Sequence, residues 1–243
     1  MNSLPHGYRA AVVGANGAIG SALVQALQAD PRCGGVTALS RLTEPPLDLL
    51  DETSLAAAAA RLRTNDGDNA NGLTGGPLHL LVCATGILQV DGRPPEKRLA
   101  DLDAATMARA HAVNAIGPAL LIKHFHELLP LKERSLLAVL SARVGSIGDN
   151  RLGGWYSYRA SKAALNMLLR TAAVEVARKR PLAVLAALHP GTVRSGLSAP
   201  IIGSAGASTP EAAARHLLAV LDGLPSDGAS GGFHAWDGSA IPW

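Results

Sequence analysis

The stretch Ala10-Ala11-Val12-Val13-Gly14-Ala15-Asn16-Gly17-Ala18-Ile19-Gly20 decides the fold. A short apolar run suits a strand buried on both faces, glycines at 14, 17 and 20 interrupt it, and apolar residues at helical spacing continue from 19 to 29. Strand, tight turn and helix make one βα unit. In that setting the glycines permit the turn, let a phosphate approach the backbone and let helix pack close to strand. The helix N-terminus adds free N–H groups and the positive end of its dipole. A bare glycine turn is the plainer reading, but the βα context favours Gly14, Asn16, Gly17, Ile19 and Gly20 as a cradle for a dinucleotide pyrophosphate.

Working outward, the alternation continues. Apolar strand patterns are read at 36–40, 79–84, 136–141 and 182–188, and helical patterns at 54–63, 103–129, from the neighbourhood of Tyr158 to 178, and 210–221. Short apolar strands separated by helices predict an α/β fold: a doubly wound, Rossmann-type parallel sheet with right-handed crossovers covering both faces. A chain of 243 residues accommodates this as a single domain spanning 1–243. The Gly/Asn/Asp-rich stretch 65–77 is expected to be a surface loop, and the small-residue stretch 195–209 a mobile lid over a substrate.

Composition excludes other classes. With 48% hydrophobic and 17% charged residues the chain is globular, and a net charge of +3 spread along it argues against a nucleic-acid surface. Cys33 and Cys83 are expected as buried reduced thiols. Residues 1–7 lack a basic segment followed by an apolar run, and no stretch approaches the roughly 18 apolar residues that span a bilayer, so a cytoplasmic protein without a membrane partner is expected. His124 and His126, two apart on a helix, point to different faces and offer no metal geometry. The helix after Tyr158 is apolar around most of its circumference, which predicts a homodimer or homotetramer.

About twenty residues beyond the last glycine, where a dinucleotide-binding unit meets the adenosine ribose, stand Ser40 and Arg41. An acidic residue there would hold the 2′-hydroxyl of NAD; a hydroxyl and a guanidinium suit the 2′-phosphate of NADP. Tyr158 and Lys162 lie one helical turn apart and share a face. A phenol has a reference pKa of about 10, and a neighbouring ammonium is expected to lower it, making the pair a proton relay.

Together the glycine turn, Asn114, Tyr158 with Lys162, and Pro190-Gly191-Thr192 resemble the short-chain dehydrogenase/reductase family over essentially the full length. The stretch 141–147 and the ending 231–243 look like its C-factor and Sniffer-type carbonyl reductase branch. The resemblance implies hydride transfer between NADP(H) and a carbonyl or alcohol substrate. Tyr158 would be the general acid, Lys162 would hold the nicotinamide ribose and lower the phenol's pKa, and Asn114 would anchor a relay water, although an amide capping local backbone is the alternative. It further implies that Asp48 meets the adenine, that Ala84, Thr85 and Gly86 after Cys83 wall the adenosine, and that Pro190, Gly191, Thr192 and Val193 border the nicotinamide.

Two departures stand out. Ala18 occupies the place of the middle glycine, as in the extended epimerase-type branch, yet the chain lacks the length for that branch's substrate domain. Ala142 occupies the place of the family's substrate-binding serine, leaving Ser141, ranked first, and Ser146 as the candidate hydroxyls. The alternative function is therefore an NADP-binding regulatory or signalling protein with little turnover.

Overall fold

The computed structural model describes residues 1–64, 76–197 and 206–243. Six parallel strands form one sheet: β1 (Tyr8–Val13), β2 (Cys33–Leu39), β3 (Leu80–Cys83), β4 (Ser135–Leu140), β5 (Ala183–His189) and β6 (Gly232–Ala235), in the order β2-β1-β3-β4-β5-β6. The helices are α1 (Ala18–Gln28), α2 (Glu52–Arg63), α3 (Ala104–His111), α4 (Gly117–Phe125), α5 (Tyr156–Ala177) and α6 (Pro210–Gly223).

Strand side chains alternate between two apolar layers. Ala11, Val13, Leu137, Val139, Leu185 and Ala187 pack with Leu55 of α2, Leu121 and Phe125 of α4, and Leu165 and Leu169 of α5. Ala10, Val12, Leu136, Ala138, Val184 and Ala186 pack with Leu23 and Leu27 of α1 and Leu217 and Leu221 of α6. Both faces are covered, so the strands read as continuous apolar runs and the doubly wound α/β expectation is met.

Local chemistry sets the boundaries. Asp51 accepts a hydrogen bond from the Thr53 N–H at 2.9 Å and starts α2 two residues before its apolar pattern. Asp103 caps α3 through the Thr106 N–H at 2.8 Å, and Thr209 caps α6 through the Ala212 N–H at 3.2 Å. β2 begins at Cys33, earlier than read, because Gly34 and Gly35 carry no strand signal; a Cβ on Gly34 would stand 2.5 Å from the Gly7 carbonyl oxygen, so the chain needs glycine there. Cys33 is only half-buried, at an end of that edge strand, whereas Cys83 is buried; both are free thiols.

The helix read over 103–129 is broken. A π turn at Ala112–Ile116 separates α3 from α4, and a 3-10 turn follows at His126–Leu128. β6 has no sequence pattern of its own, being four residues with Gly232 and His234 among them, and it is recruited by pairing with β5. The expected surface loop lies outside the described residues over 65–75, and the expected lid over 198–205; its flanks are tied by a parallel bridge of Val193 with Ser208. Among the described residues no helix is long and apolar enough to cross a membrane.

Candidate functional site

The strand order reverses at β1, whose neighbours are β2 and β3, and a crevice opens beyond the C-terminal ends of such strands. Two neighbouring cavities lie there, Ile87 lining one and Leu88 the other. The first, about 390 Å³, is lined by Gly14, Asn16, Gly17, Ser40, Arg41, Asp48, Ala84, Thr85 and Gly86. The second, about 560 Å³, is lined by Ile19, Ser141, Ala142, Tyr158, Pro190, Gly191, Thr192 and Val193. Most of the residues read from the sequence thus converge on one edge of the sheet.

The glycine turn fits a phosphate. Gly14 has φ +84, and a Cβ there would meet the Ala84 carbonyl oxygen at 2.9 Å; one on Gly20 would lie 2.1 Å from the Gly14 carbonyl oxygen. Gly20 lines neither cavity and serves the close seating of α1 under the turn. The first turn of α1 holds no acidic residue, so no carboxylate there would compete with a bound anion for its N–H groups. The Ser40 hydroxyl donates to the Asn16 amide oxygen and accepts from the Leu42 N–H at 3.0 Å. Arg41 is exposed and lines the same cavity, as does Arg109 of α3, which sequence reading missed. These residues fit a dinucleotide with an extra phosphate on its adenosine end.

Asn114 sits in the π turn, fully buried. Its amide oxygen accepts from the Ile87 N–H at 2.8 Å, and its NH₂ donates to the Ile87 carbonyl at 2.9 Å and to Ser161 Oγ at 3.0 Å. The backbone it bonds is remote, not local as in the alternative reading: it clamps the segment following β3 to α5. The π turn, common near functional sites, aims it there.

Tyr158 and Lys162 share the expected face of α5. Lys162 Nζ donates to the Leu140 carbonyl at 2.8 Å and lies 5.9 Å from the centroid of the Tyr158 ring. Gly86 leaves room for both neighbours, since a Cβ on it would stand 3.3 Å from Asn114 Oδ1 and 3.3 Å from Lys162 Nζ. The expectation that the ammonium lowers the phenol's pKa is corrected here. Burial pushes Tyr158 up to about 12, and burial pushes Lys162 down to about 8, partly offset by the Cys83 thiol. Desolvation disfavours both charged forms. A phenol held in its protonated form is suited to giving a proton away.

The two serines differ. Ser141 lines the second cavity, but its Oγ donates to Asn166 Oδ1 of α5 at 2.7 Å. Ser146 is buried, accepts from the Asp149 N–H at 3.0 Å, and is not among the cavity-lining residues. Sequence reading also missed His189, whose buried Nδ1 has no hydrogen-bond partner, and the guanidinium groups of Arg143, Arg151 and Arg159. Their positions beside Ala142, Tyr158 and Pro190 were the available signal.

A doubly wound sheet with a glycine turn at its switch point and a Tyr–Lys pair beside the neighbouring cavity defines a dinucleotide-dependent oxidoreductase. The family profile described as enoyl-(acyl carrier protein) reductase matches residues 34–220, and the chain belongs to the short-chain dehydrogenase/reductase family. It is 32% identical over 215 residues to the 1-hydroxy-2-glutathionyl-2-methyl-3-butene dehydrogenase of Rhodococcus sp. (strain AD45), covering 88% of this chain and 84% of that one. It is 37% identical over 148 residues to the C-signal of Myxococcus xanthus, covering 60% of this chain and 83% of that one. Among solved structures, the NADPH-bound carbonyl reductase from chicken fatty liver superposes with a TM-score of 0.80 at 27% identity, over 99% of this chain and 95% of that one. The carbonyl reductase Sniffer of D. melanogaster shares the fold with a TM-score of 0.80 at 21% identity, over 98% and 99% of the two chains.

Proposed function

We propose that residues 1–243 form one NADP(H)-dependent carbonyl reductase, reversible as an alcohol dehydrogenase. The observation that carries this reading is the position of Tyr158, whose phenol lines the second cavity while Lys162, one turn on, lies behind Gly86 at the wall of the first. Bound NADPH supplies the hydride. Gly14, Asn16 and Gly17 hold its pyrophosphate against α1, Arg41 pairs with the 2′-phosphate, and Asp48, Ala84, Thr85 and Gly86 flank the adenosine. Ile19 and residues 190–193 border the nicotinamide side. Tyr158 hydrogen-bonds the carbonyl oxygen and donates its proton as negative charge develops there, and Lys162, held by the Leu140 carbonyl behind Gly86, would hold the ribose hydroxyls on the nicotinamide side. Ser141 supplies a second donor if its hydroxyl turns from Asn166.

The Rhodococcus relative is named as a dehydrogenase of a hydroxy compound, and the avian reductase is described as NADPH-bound; both support the reading. The exposed Met167, Leu168 and Val174 on α5 form the contact face for a second copy in this reading, which light scattering tests. The deciding experiment is NADPH oxidation against aldehydes, ketones and quinones, with Tyr158→Phe losing turnover while retaining NADPH affinity. A second reading, NADP binding without useful turnover, is favoured by Ala142 and by the likeness to C-signal; tight NADPH binding with no oxidation of any substrate would support it.

A further inference from the structure

Three guanidinium groups, from Arg143, Arg151 and Arg159, line the cavity that Tyr158 faces, against one carboxylate, Asp149. Arg143 pairs with Asp149 at 3.1 Å. Arg159, one residue after Tyr158, is held by backbone oxygens instead: Nε donates to the Gly154 carbonyl at 2.9 Å, Nη2 to the Gly153 carbonyl at 3.0 Å, and Nη1 reaches the Val144 carbonyl at 3.4 Å. Neutral carbonyls orient a guanidinium without cancelling its charge.

The chain is shaped to do this. Gly153, Gly154 and Trp155 have φ of +63, +64 and +54, a left-handed run that ends in a residue type for which that conformation is strained. It leads straight into α5 and leaves both glycine carbonyls on Arg159. Arg151, on the same loop, is exposed and makes no hydrogen bond or ion pair among the described residues. The rest of the lining mixes the apolar Leu88, Ala142, Val144, Leu152 and Trp155 with the polar Ser141, His189 and Thr192.

A cavity lined in part by apolar side chains, with one guanidinium fixed by neutral carbonyls, Arg159, and a second unpaired one, Arg151, selects a partly apolar molecule with an anionic end, because such a group binds a carboxylate bidentately. We infer that the substrate is a carbonyl compound carrying a carboxylate, whose anionic end is held by Arg159 and Arg151 while its carbonyl oxygen meets Tyr158. This rests on the reductase reading above. Hydride from NADPH reduces the carbonyl carbon, the oxygen takes the Tyr158 proton, and the carboxylate is unchanged.

The test compares 4-formylbenzoate with its methyl ester, two aldehydes of the same body and different charge. The wild-type kcat/KM is expected to favour the acid about tenfold, the scale of one charge-assisted hydrogen-bond pair. Arg159→Gln and Arg151→Gln each lower that ratio, chiefly through KM for the acid, Arg159→Lys keeps part of it, and Arg178→Gln at the far end of α5 leaves it alone. Calorimetry with benzoate against benzamide, in the presence of NADP, reads the same preference without turnover. Equal use of acid and ester, or a ratio that survives both glutamine substitutions, overturns the anion site and leaves the reductase standing. If neither aldehyde is consumed the reductase reading fails instead, and equal binding of benzoate and benzamide then overturns the anion site as well.

Discussion

The buried carboxylate of Glu96 closes the N-terminus of the helix that carries Tyr158, accepting the Ser157 N–H at 3.1 Å and the Ser157 hydroxyl. Trp155, the residue before α5, offers no capping side chain, so a group distant in sequence satisfies the first turn and places a negative charge at the positive end of the dipole. Glu96→Ala leaves a buried N–H without an acceptor, at a cost of about 1–3 kcal/mol. The variant is expected to melt at lower temperature and to lose kcat more than it raises KM, because Tyr158 adjoins the loosened residue. Glu96→Gln keeps an acceptor and recovers most of both. An alanine variant with unchanged melting and turnover would show that the helix start is held by other contacts.

The Tyr158–Lys162 pair makes a prediction about alkaline stability. Lys162 is shifted by burial from an ordinary 10.5 to about 8, so between those values the unfolded chain binds a proton that the native protein does not. Stability therefore rises with pH across that window, by up to about 3 kcal/mol. Tyr158, raised by burial from 10.0 to about 12, acts in the opposite sense above pH 10. The stability gap between the wild type and Lys162→Met, read from urea midpoints, is expected to change by the Lys162 contribution from pH 8 to 10 and then level off, while the raised Cys33 and Cys83 thiols pull both proteins the other way above about pH 9. A gap that does not change with pH would assign the titration elsewhere.

Much of the scaffold was legible in the sequence because strands buried on both faces must be apolar throughout, and 10–13, 80–83 and 136–140 are. The glycine turn and the Tyr–Lys spacing were legible for the same local reason. What escaped depends on neighbours remote in sequence. β6 exists because β5 offers it an edge, the π turn at Asn114 because Ile87 and Ser161 offer the amide its partners, and the Glu96 cap because a loop 61 residues away folds under α5. The direction of the Tyr158 shift was misread for a related reason. A spacing rule brings an ammonium near a phenol but carries no information on how much water the fold removes from both.

His189 makes the corresponding prediction on the acid side. It ends β5 beside the second cavity, its Nδ1 buried without a partner. Burial, with help from the nearby Arg143 charge, lowers it from 6.5 to about 4 despite Asp237. The unfolded chain takes up a proton below pH 6.5 that the native protein refuses until about 4, so stability falls as pH drops through that interval, by up to about 3 kcal/mol. His189→Gln removes this titration and should make the fall between pH 6.5 and 4 shallower, leaving the part due to His234, which burial also lowers. Arg143→Gln relieves the like charge, so the native protein accepts the His189 proton at a higher pH; the fall still begins near 6.5 but ends sooner and is smaller. A wild-type midpoint that is already flat over this range would mean the imidazole is solvated.

Coenzyme choice is expected to fall on Arg41. The neighbouring Ser40 hydroxyl is committed to Asn16 and to the Leu42 N–H, so it shapes the loop and has little left for a phosphate. Arg41 is exposed at the rim of the first cavity, and a guanidinium there can close bidentately on a 2′-phosphate. Arg41→Asp reverses the local charge, and its KM for NADPH is expected to rise about 10- to 100-fold, the scale of one charge-assisted contact, while KM for NADH changes far less. Arg109→Gln, which also changes the lining of that cavity, should weaken NADPH to a smaller degree. Ser40→Ala should affect both coenzymes alike through the loop. If Arg41→Asp weakens NADPH and NADH equally, the guanidinium supports the loop and discrimination resides in another group.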